Sequence, residues 1–284
     1  MSLRSNIDYS IDLIRRAEPL ALKMSPDGFH VAFSGGKDSQ VLLELVKMAG
    51  VKYTAHMQVT TIDPPELMHF VRTHYPDVVL HRPEVNFYKL IEKKGSLPTR
   101  GVRWCCQVLK EHAGVGMVTL VGVRAAESTK RARRQEVERI HRNKKKRKLP
   151  ADLFEMNEER IHQCVGGKDK IVVSPIFHWS DADVWNFIRG NGLPYCELYD
   201  QGWLRIGCVG CPMARKKERF ISMKRYPGIK RSIIRSISRS LFAGGFQSLQ
   251  EYDATAEEIF NWWMSNKSIK TFFGMLRNQK ELEL

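Results

Sequence analysis

Residues 29–42 of the chain read FHVAFSGGKDSQVL, and this stretch decides the fold. The short apolar run Val31–Phe33 is typical of a buried parallel strand. Ser34–Ser39 then turns the chain, and Gln40–Ala49 carries apolar residues at helical spacing before Gly50, which fits a helix C-cap. The stretch therefore predicts a strand, a glycine turn and a helix, in that order.

A glycine turn at the start of a helix forms an anion-binding site. Glycines let the backbone approach oxygen atoms closely, free N–H groups point outward, and the helix dipole favours negative charge. Lys37 and the hydroxyls of Ser34 and Ser39 add donors. The common P-loop is excluded, because it needs glycine and serine or threonine where this chain has Val31 and Asp38. The alternative interpretation is a turn that only connects strand to helix.

The pattern Ser-Gly-Gly-x-Asp-Ser is similar to the pyrophosphate-binding loop of the PP-loop superfamily, which includes ATP pyrophosphatases and adenylyl-sulfate reductases. Ser34, Gly35, Gly36, Lys37, Asp38 and Ser39 match this pattern. The resemblance implies that these residues bind the β- and γ-phosphates of a nucleotide, or a sulfate in their place.

Composition limits the class of protein. The chain has 284 residues, a net charge of +15 and no apolar run of membrane-spanning length, so a large core and a non-membrane protein are expected. The N-terminus lacks a signal-peptide pattern, which makes a cytoplasmic location the default expectation. The charge indicates a polyanionic partner, or a basic surface that serves nucleotide phosphates.

Strand and helix patterns alternate over the first 125 residues. This alternation predicts an α/β fold with a parallel sheet. The resemblance to the PP-loop superfamily further implies a Rossmann-like sheet, similar to that of the adenine nucleotide alpha hydrolases, with helices on both faces. The expected later strands are Tyr53–Val59, Val78–Leu80, Met117–Val123 and Ile171–Ile176. We expect a nucleotide-binding domain over residues 1–212, with a basic insertion at about 128–150, and a helical region over residues 213–284.

The basic segment 128–148 has two interpretations. Its basic residues include Arg131, Arg133, Arg134, Arg139, Arg142 and the run Lys144–Lys148. Such a run is most often a solvated, mobile segment. It also directly follows the predicted site loop at Gly122–Arg124, so the second interpretation is that it covers bound DNA or RNA.

Four of the six cysteines form a second chemical signal. Cys105 and Cys106 are adjacent, and Cys208 and Cys211 form a Cys-x-x-Cys turn that contains Gly210. Cysteines without a signal peptide point to metal binding or catalysis rather than disulfides. Four thiolates suit a [4Fe–4S] cluster or structural zinc, and spacing alone does not choose between them. The alternative is a set of packed, inert cysteines.

An ordered series of motifs resembles the phosphoadenosine phosphosulfate (PAPS)/adenylyl-sulfate (APS) reductase family over roughly residues 29–212. The motifs are Arg103-Trp104-Cys105-Cys106 with Leu109-Lys110, Gly122 with Arg124, Pro175-Ile176 with Trp179 and Asp183-Val184-Trp185, Gly192-Leu193-Pro194-Tyr195 with Leu198-Tyr199-Asp200, and Arg205-Ile206-Gly207-Cys208 with Cys211. In cluster-bearing members such a quartet holds a [4Fe–4S] cluster beside the nucleotide. The resemblance therefore favours iron–sulfur over zinc.

Two features depart from the reductases. Those enzymes use a cysteine near the C-terminus, and no cysteine follows Cys211 here, which leaves Cys164 and Cys196 as spare thiols. The phosphate loop is also complete, which fits ATP with Mg²⁺ and release of pyrophosphate. Both features resemble the branch of the family involved in DNA sulfur modification, which implies a sulfur-donor protein. An APS or PAPS reductase and a non-catalytic nucleic-acid-binding protein are the alternatives.

The expected site lies at the C-terminal ends of the strands. Lys37, Asp38 and Arg124 are the predicted catalytic residues. Met57, Val59 and Thr60 are expected to border the adenine and ribose, and Gly122 and Arg124 to meet the α-phosphate or ribose. Lys110 or Arg103 would add positive charge.

Overall fold

A computed structural model describes residues 2–140, 149, 152–155 and 170–282. The strands of the described residues are β1 Phe29–Ala32, β2 Tyr53–Gln58, β3 Val79–His81, β4 Val118–Val121, β5 Val137–Ile140 and β6 Lys170–Val173. The α-helices are α1 Leu3–Met24, α2 Lys37–Ala49, α3 Pro65–His74, α4 Phe87–Lys94, α5 Trp104–Leu109, α6 Thr129–Ala132, α7 Asp181–Gly190, α8 Lys216–Arg225, α9 Pro227–Phe242, α10 Ala256–Ser265 and α11 Ile269–Leu282.

The strands form one six-stranded sheet in the order β3-β2-β1-β4-β6-β5. Every neighbouring pair is parallel except β5 with β6, which is antiparallel. The chain proceeds outward from β1 to β3 and then returns to β4 on the other side of β1. Ligands bind at such a reversal, outside the carboxyl ends of the strands. The loops after β1 and β4 therefore flank the expected ligand crevice.

The predicted fold class is confirmed as an α/β fold with a mostly parallel sheet and a helical C-terminal region. Two local predictions differ from the structure. Helix α2 begins at Lys37 rather than Gln40, because Gly36 takes the extended N-cap conformation. The basic segment is partly ordered, since it contains α6 and the edge strand β5, whereas residues 141–148 lie outside the described residues.

The chain divides into two compact units. The first unit contains residues 1–58, 65–81 and 112–206, and the second contains residues 59–64, 82–111 and 207–284. The first unit includes the whole sheet, and its core contains Phe29, Val31, Leu42, Leu120 and Trp179, all buried. No helix among the residues with described structure is long and apolar enough to cross a membrane.

The expected domain boundary at residue 212 stays a prediction, and this residue lies inside the second compact unit. Segments that precede β4 in the sequence pack with the C-terminal helices instead of the sheet. The indole of Trp263 donates a hydrogen bond to the Pro98 carbonyl at 2.6 Å, and the Phe246 amide donates to the Gly95 carbonyl at 2.9 Å. The cysteine quartet consequently lies in the second unit.

Candidate functional site

The turn between β1 and α2 requires glycine at Gly35. Its φ of +71° lies in the left-handed region, and a Cβ there would come within 2.6 Å of Val71 and 2.7 Å of Leu67. Gly36 follows as the N-cap of α2 and provides no side-chain hydrogen bond to the helix. The first N–H groups of α2 are therefore left for other acceptors, as an anion site needs.

Hydrogen bonds hold the loop Ser34–Ser39 in one shape. The hydroxyl of Ser39 donates to the Gly36 carbonyl at 2.8 Å, and the amide of Ser34 donates to the Ser39 hydroxyl at 3.2 Å. The Lys37 amide at the start of α2 donates to the hydroxyl oxygen of Tyr199 at 2.9 Å. Tyr199 thus occupies a donor that a bound phosphate would use.

Two buried cations and two carboxylates form a network beside this loop. Lys37 and Arg124 are 4% and 3% exposed. Lys37 Nζ donates to Asp181 Oδ1 at 2.8 Å and to Asp38 Oδ1 at 3.2 Å. Arg124 donates through Nε to Asp38 at 2.6 Å and through a terminal nitrogen to Asp181 Oδ1 at 2.9 Å. The network pairs each cation with both carboxylates, as buried charges require.

Asp181 is the exposed member of this network, with 64% of its side chain accessible. Partial burial acts to raise the pKa of Asp181, but hydrogen bonds and charge from Lys37 and Arg124 outweigh it and lower the pKa below its usual value. Asp181 is therefore an anion held where two cations converge, and it lies at a position from which solvent or a ligand can displace it.

Gly122 brings the end of β4 against the first turn of α2. A Cβ at Gly122 would lie 2.8 Å from the Asp38 carbonyl oxygen and 3.2 Å from the Ser39 amide nitrogen. Only a residue without a side chain permits this approach. The approach lets Arg124, two residues further on, reach the carboxylate of Asp38.

A cavity of about 240 Å³ adjoins the network. Asp181 and Tyr199, which contact the loop, also line the cavity. The other lining residues are Trp185, Arg189, Tyr195, Asp200, Gly202, Trp203 and Leu204. Its aromatic walls pack edge to face, with Trp185 5.4 Å from Tyr195 and 5.1 Å from Tyr199 between ring centroids.

The structure brings together only part of the predicted nucleotide site. Ser34–Ser39, Gly122 and Arg124 lie together in the first unit. Met57 is 3% exposed and its side chain belongs to the core, because strand alternation turns it inward. Val59 and Thr60 belong to the second unit. A contribution of Met57 to a ligand would have to come from its main chain.

The cysteine quartet forms a separate cluster in the second unit. Cys105 and Cys106 open helix α5, and Cys208 and Cys211 flank a tight turn at Gly210, whose φ is +68°. A hydrogen bond from Cys105 lowers the pKa of Cys106, with added effects of the Lys110 and Arg103 charges. That hydrogen bond, burial and the charges of Cys106, Cys208 and Cys211 raise the pKa of Cys105. The four sulfurs therefore influence one another electrostatically.

Polar groups surround Cys208. The Thr60 hydroxyl lies 3.4 Å from its sulfur, and the Thr60 amide donates to Asp63 at 2.6 Å. The negative charge of Cys208 raises the pKa of Lys110, despite the opposing effect of burial. Thr60 and Lys110, both predicted near the nucleotide, therefore contact the cysteine cluster, and their role at the nucleotide stays a prediction.

The arrangement of the sulfurs bears on which metal group fits. Within the described residues, no three His, Cys, Asp or Glu side chains are arranged around a single metal ion. A zinc ion binds each thiolate at about 2.3 Å, which requires the sulfurs to be close together, whereas each thiolate of a [4Fe–4S] cluster binds a different iron. Four mutually interacting cysteines with the Lys110 and Arg103 charges nearby are the described residues that could hold such a group.

Sequence reasoning missed the roles of Asp181 and Tyr199 at the loop. The signal for Asp181 was its position directly after Ser180, whose hydroxyl caps α7 and whose amide donates in return to the Asp183 carboxylate. Tyr199 stood inside a recognised motif, but nothing in the motif indicated a contact with Lys37. Of the spare thiols, Cys196 is packed in the core at 1% exposure, and Cys164 lies outside the described residues.

Comparison with protein families gives a match over most of the chain. The phosphoadenosine phosphosulfate reductase domain matches residues 28–214. An uncharacterized protein of Methanocaldococcus jannaschii is 31% identical over 195 residues, which cover 64% of this chain and 35% of that protein. A second uncharacterized protein of the same organism is 30% identical over 213 residues, which cover 70% of this chain and 44% of that protein. The chain thus spans less than half the length of either archaeal relative.

Relatives with a stated activity are more distant. Adenosine 5'-phosphosulfate reductase of Oceanobacillus iheyensis is 27% identical over 195 residues, covering 63% of this chain and 69% of that protein. Among solved structures, FMN adenylyltransferase of Candida glabrata with FAD and inorganic pyrophosphate has a TM-score of 0.48 at 17% identity, covering 73% of this chain and 63% of that one. Phosphoadenylyl-sulfate reductase of Candida auris has a TM-score of 0.43 at 18% identity, covering 70% and 93%.

Proposed function

The chain belongs to the phosphoadenosine phosphosulfate reductase domain family, and from this premise we propose that it is an ATP pyrophosphatase that transfers an adenylyl group. ATP binds with its β- and γ-phosphates at Ser34–Ser39. An oxygen of the acceptor attacks the α-phosphorus, the bond from that phosphorus to the β-bridging oxygen breaks, and pyrophosphate leaves. The observation that carries this proposal is the network of Lys37 and Arg124 with Asp38 and Asp181 at the start of α2.

The donors of this network suit a leaving pyrophosphate. Lys37 and Arg124 are buried cations whose charge is preorganised, so they stabilise charge that develops on the departing oxygens. The Lys37 amide and the α2 dipole add further stabilisation. Phosphate oxygens would replace Asp181 and Tyr199 as acceptors, and Mg²⁺ would enter with ATP, bound to phosphate oxygens.

The cysteine cluster is proposed to hold a [4Fe–4S] cluster through Cys105, Cys106, Cys208 and Cys211, with zinc as the alternative. Such a cluster supplies electron transfer or binding of sulfur. Thr60 would donate a hydrogen bond to the Cys208 sulfur, and Lys110 would offset negative charge.

We propose that the molecule that accepts the adenylyl group is a substrate of sulfur transfer or of nucleic-acid modification. A complete loop together with a cysteine quartet resembles the branch of the family involved in DNA sulfur modification. In that reaction ATP would activate an oxygen as an adenylate, and a nucleophilic sulfur from a donor protein would then displace this oxygen, which leaves as part of AMP. The net charge of +15 suits a polyanionic acceptor.

Reduction of APS or PAPS to sulfite is the second candidate. It is favoured by relatives named adenosine 5'-phosphosulfate reductase at 27–28% identity. That reaction needs an accessible thiol to take the sulfonate group. Cys196 is 1% exposed in the core, so a partner thiol or another cysteine of the chain would have to serve.

Pyrophosphate release from ATP tests the proposal, measured with and without oligonucleotide. Lys37→Ala and Asp38→Ala should each lower the rate by about 10²–10³-fold, because each removes a charge from the transition-state site. Lys47→Ala is the matched control on the exposed side of α2 and should keep the rate. Equal rates in all variants would contradict the proposal. Sulfite production from APS with thioredoxin would instead establish the reductase.

A further inference from the structure

Helices α8 and α9 carry the densest positive charge in the described C-terminal region. Residues 215–242 contain ten lysine and arginine residues and a single acidic residue, Glu218. Arg219 is fully buried, where it donates to Asn266 at 2.6 Å and stacks on Trp263, so it serves the core. Most of the others are exposed to solvent.

Three arginines form a stripe along α9. Arg231, Arg235 and Arg239 recur at every fourth residue and are exposed, so they lie on one face at a rise of about 6 Å per step. Ile233 and Ile237, on the opposite side, are completely buried. Helix α9 contains no acidic residue. This arginine stripe is therefore a line of charge on a well-anchored helix.

Little in the described structure neutralises the arginine stripe. Arg239 has one carboxylate partner, Glu92 at 3.5 Å, and 59% of its side chain remains exposed. Within the part of the chain that the structure describes, Arg231 and Arg235 have no carboxylate partner. A row of guanidinium groups with a single carboxylate partner among the described residues repels itself, and a row of external phosphates would relieve this repulsion.

The basic segment predicted to bind nucleic acid differs in this respect. In its described part, Arg131 pairs with Glu127 and Arg134 pairs with Glu138. Burial also lowers the pKa of Arg131 to about 10. These two arginines are therefore engaged within the first unit, whereas Arg231 and Arg235 have no carboxylate partner among the described residues.

Exposed aromatic rings accompany the charge. Phe220 is 49% exposed on α8 between Lys217 and Lys224, at helical spacing that places all three on one face. Phe242, at the end of α9, is 97% exposed. Basic side chains that follow a backbone, with aromatic rings on which bases stack, are the combination that binds single-stranded nucleic acid.

We propose that α8 and α9 bind single-stranded nucleic acid, with the arginine stripe on successive phosphates and Phe220 and Phe242 stacking on bases. An anionic membrane suits the surface less well, because the apolar face of α9 is buried and unable to enter lipid. The inference goes beyond the proposed ATP chemistry and does not depend on the phosphate loop.

Fluorescence anisotropy with a labelled oligothymidine of about 20 nucleotides tests this surface at several salt concentrations. The triple variant Arg231→Gln, Arg235→Gln, Arg239→Gln should bind about 10–100-fold more weakly. It should also reduce the slope of log K against log salt by about 2, from three lost phosphate contacts. The triple variant Arg4→Gln, Arg72→Gln, Arg82→Gln removes equal charge from exposed positions and should bind nearly as the wild type.

Further binding measurements distinguish single-stranded nucleic acid from other ligands. Phe242→Ala should weaken binding to the single strand more than to duplex, because duplex bases are not free to stack. Equal losses in the two triple variants, or tighter binding to polyglutamate or to phosphatidylserine vesicles than to the oligonucleotide, would overturn the proposal. The variant with Arg→Lys at the same three positions keeps the charge and the fold. Partial binding by this variant would show that the glutamine variant loses binding through missing contacts and not through misfolding. Lys37→Ala should leave oligonucleotide binding intact, which separates this test from that of the ATP reaction.

Discussion

Lys37 Nζ and Arg124 both donate to the same oxygen of Asp181, at 2.8 and 2.9 Å, so the first turn of α7 is tied to the first turn of α2. A phosphate that binds these cations must displace this carboxylate. Asp181→Asn weakens the competitor, and we expect ATP to bind about 3–10-fold more tightly. The same variant should lose about 1 kcal/mol of unfolding free energy, as for a partly exposed ion pair.

Isothermal titration calorimetry with ATP and urea unfolding measure these two effects. Asp12→Asn removes an equal charge from an exposed pair with Arg16 on α1 and should change neither quantity by much. Weaker ATP binding by Asp181→Asn would show that the carboxylate supports the nucleotide instead of competing with it.

Gly122 sets the distance between β4 and α2. In Gly122→Ala the new methyl group would lie 2.8 Å from the Asp38 carbonyl oxygen and 3.2 Å from the Ser39 amide nitrogen. Both are backbone atoms, which cannot rotate away. We expect a loss of about 1–3 kcal/mol of unfolding free energy and weaker ATP binding. Gly190→Ala, at the end of α7 with no atom near its Cβ, is the control and should not destabilise the fold. A fully stable Gly122→Ala would disprove the close approach.

Metal content tests the cysteine cluster. Protein purified without oxygen should hold about four iron and four sulfide per chain. Cys208→Ser should reduce both to well below this level, whereas Cys196→Ala, in the core of the first unit, should leave the iron unchanged. Stoichiometric zinc without sulfide in the wild type would rule out the iron–sulfur assignment.

His30 predicts a specific pH dependence of stability. It is 5% exposed on β1, its Nδ1 has no hydrogen-bond partner among the described residues, and its ring stacks on His56 at 4.5 Å. Burial, and then the charges of His56 and Lys170, lower the pKa of His30 to about 4. The unfolded chain therefore binds this proton more readily than the folded protein does.

The sign of the effect follows from this difference in proton binding. The stability that neutral His30 contributes is present above pH ~6.5 and is lost as the pH falls toward 4, by about 3 kcal/mol in all. Urea unfolding of the wild type and of His30→Gln across this range isolates the contribution. Parallel stability curves for the two proteins would contradict the prediction.

Elements fixed by local chemistry could be predicted from the sequence. The loop at Ser34–Ser39 was identifiable because glycines, hydroxyls and a lysine sit between an apolar run and a helical repeat. Strand β5 was not, because Glu138 and Arg139 give it the composition of a solvated segment while pairing with β6 supplies its backbone hydrogen bonds. Residues 137–140 therefore form a strand because they pair with β6, and not because of their own composition.

The membership of each site was harder to predict than its existence. Thr60 follows β2 directly, so position alone connected it with the nucleotide, yet its hydroxyl faces Cys208, which is 148 residues away in sequence. Asp181 reaches Lys37 across 144 residues. Contacts of this range arise from tertiary packing, and no local pattern encodes them.

The two edge strands of the sheet affect how readily the protein aggregates at high concentration. Edge strand β3 spans Val79–His81, and edge strand β5, described over Val137–Ile140, carries adjacent charges of opposite sign. A short, charged edge offers an incoming strand few free hydrogen-bonding groups and places charge in its path. The sheet therefore resists growth into intermolecular aggregates, even though strands β4 and β6 beside β1 are rich in valine.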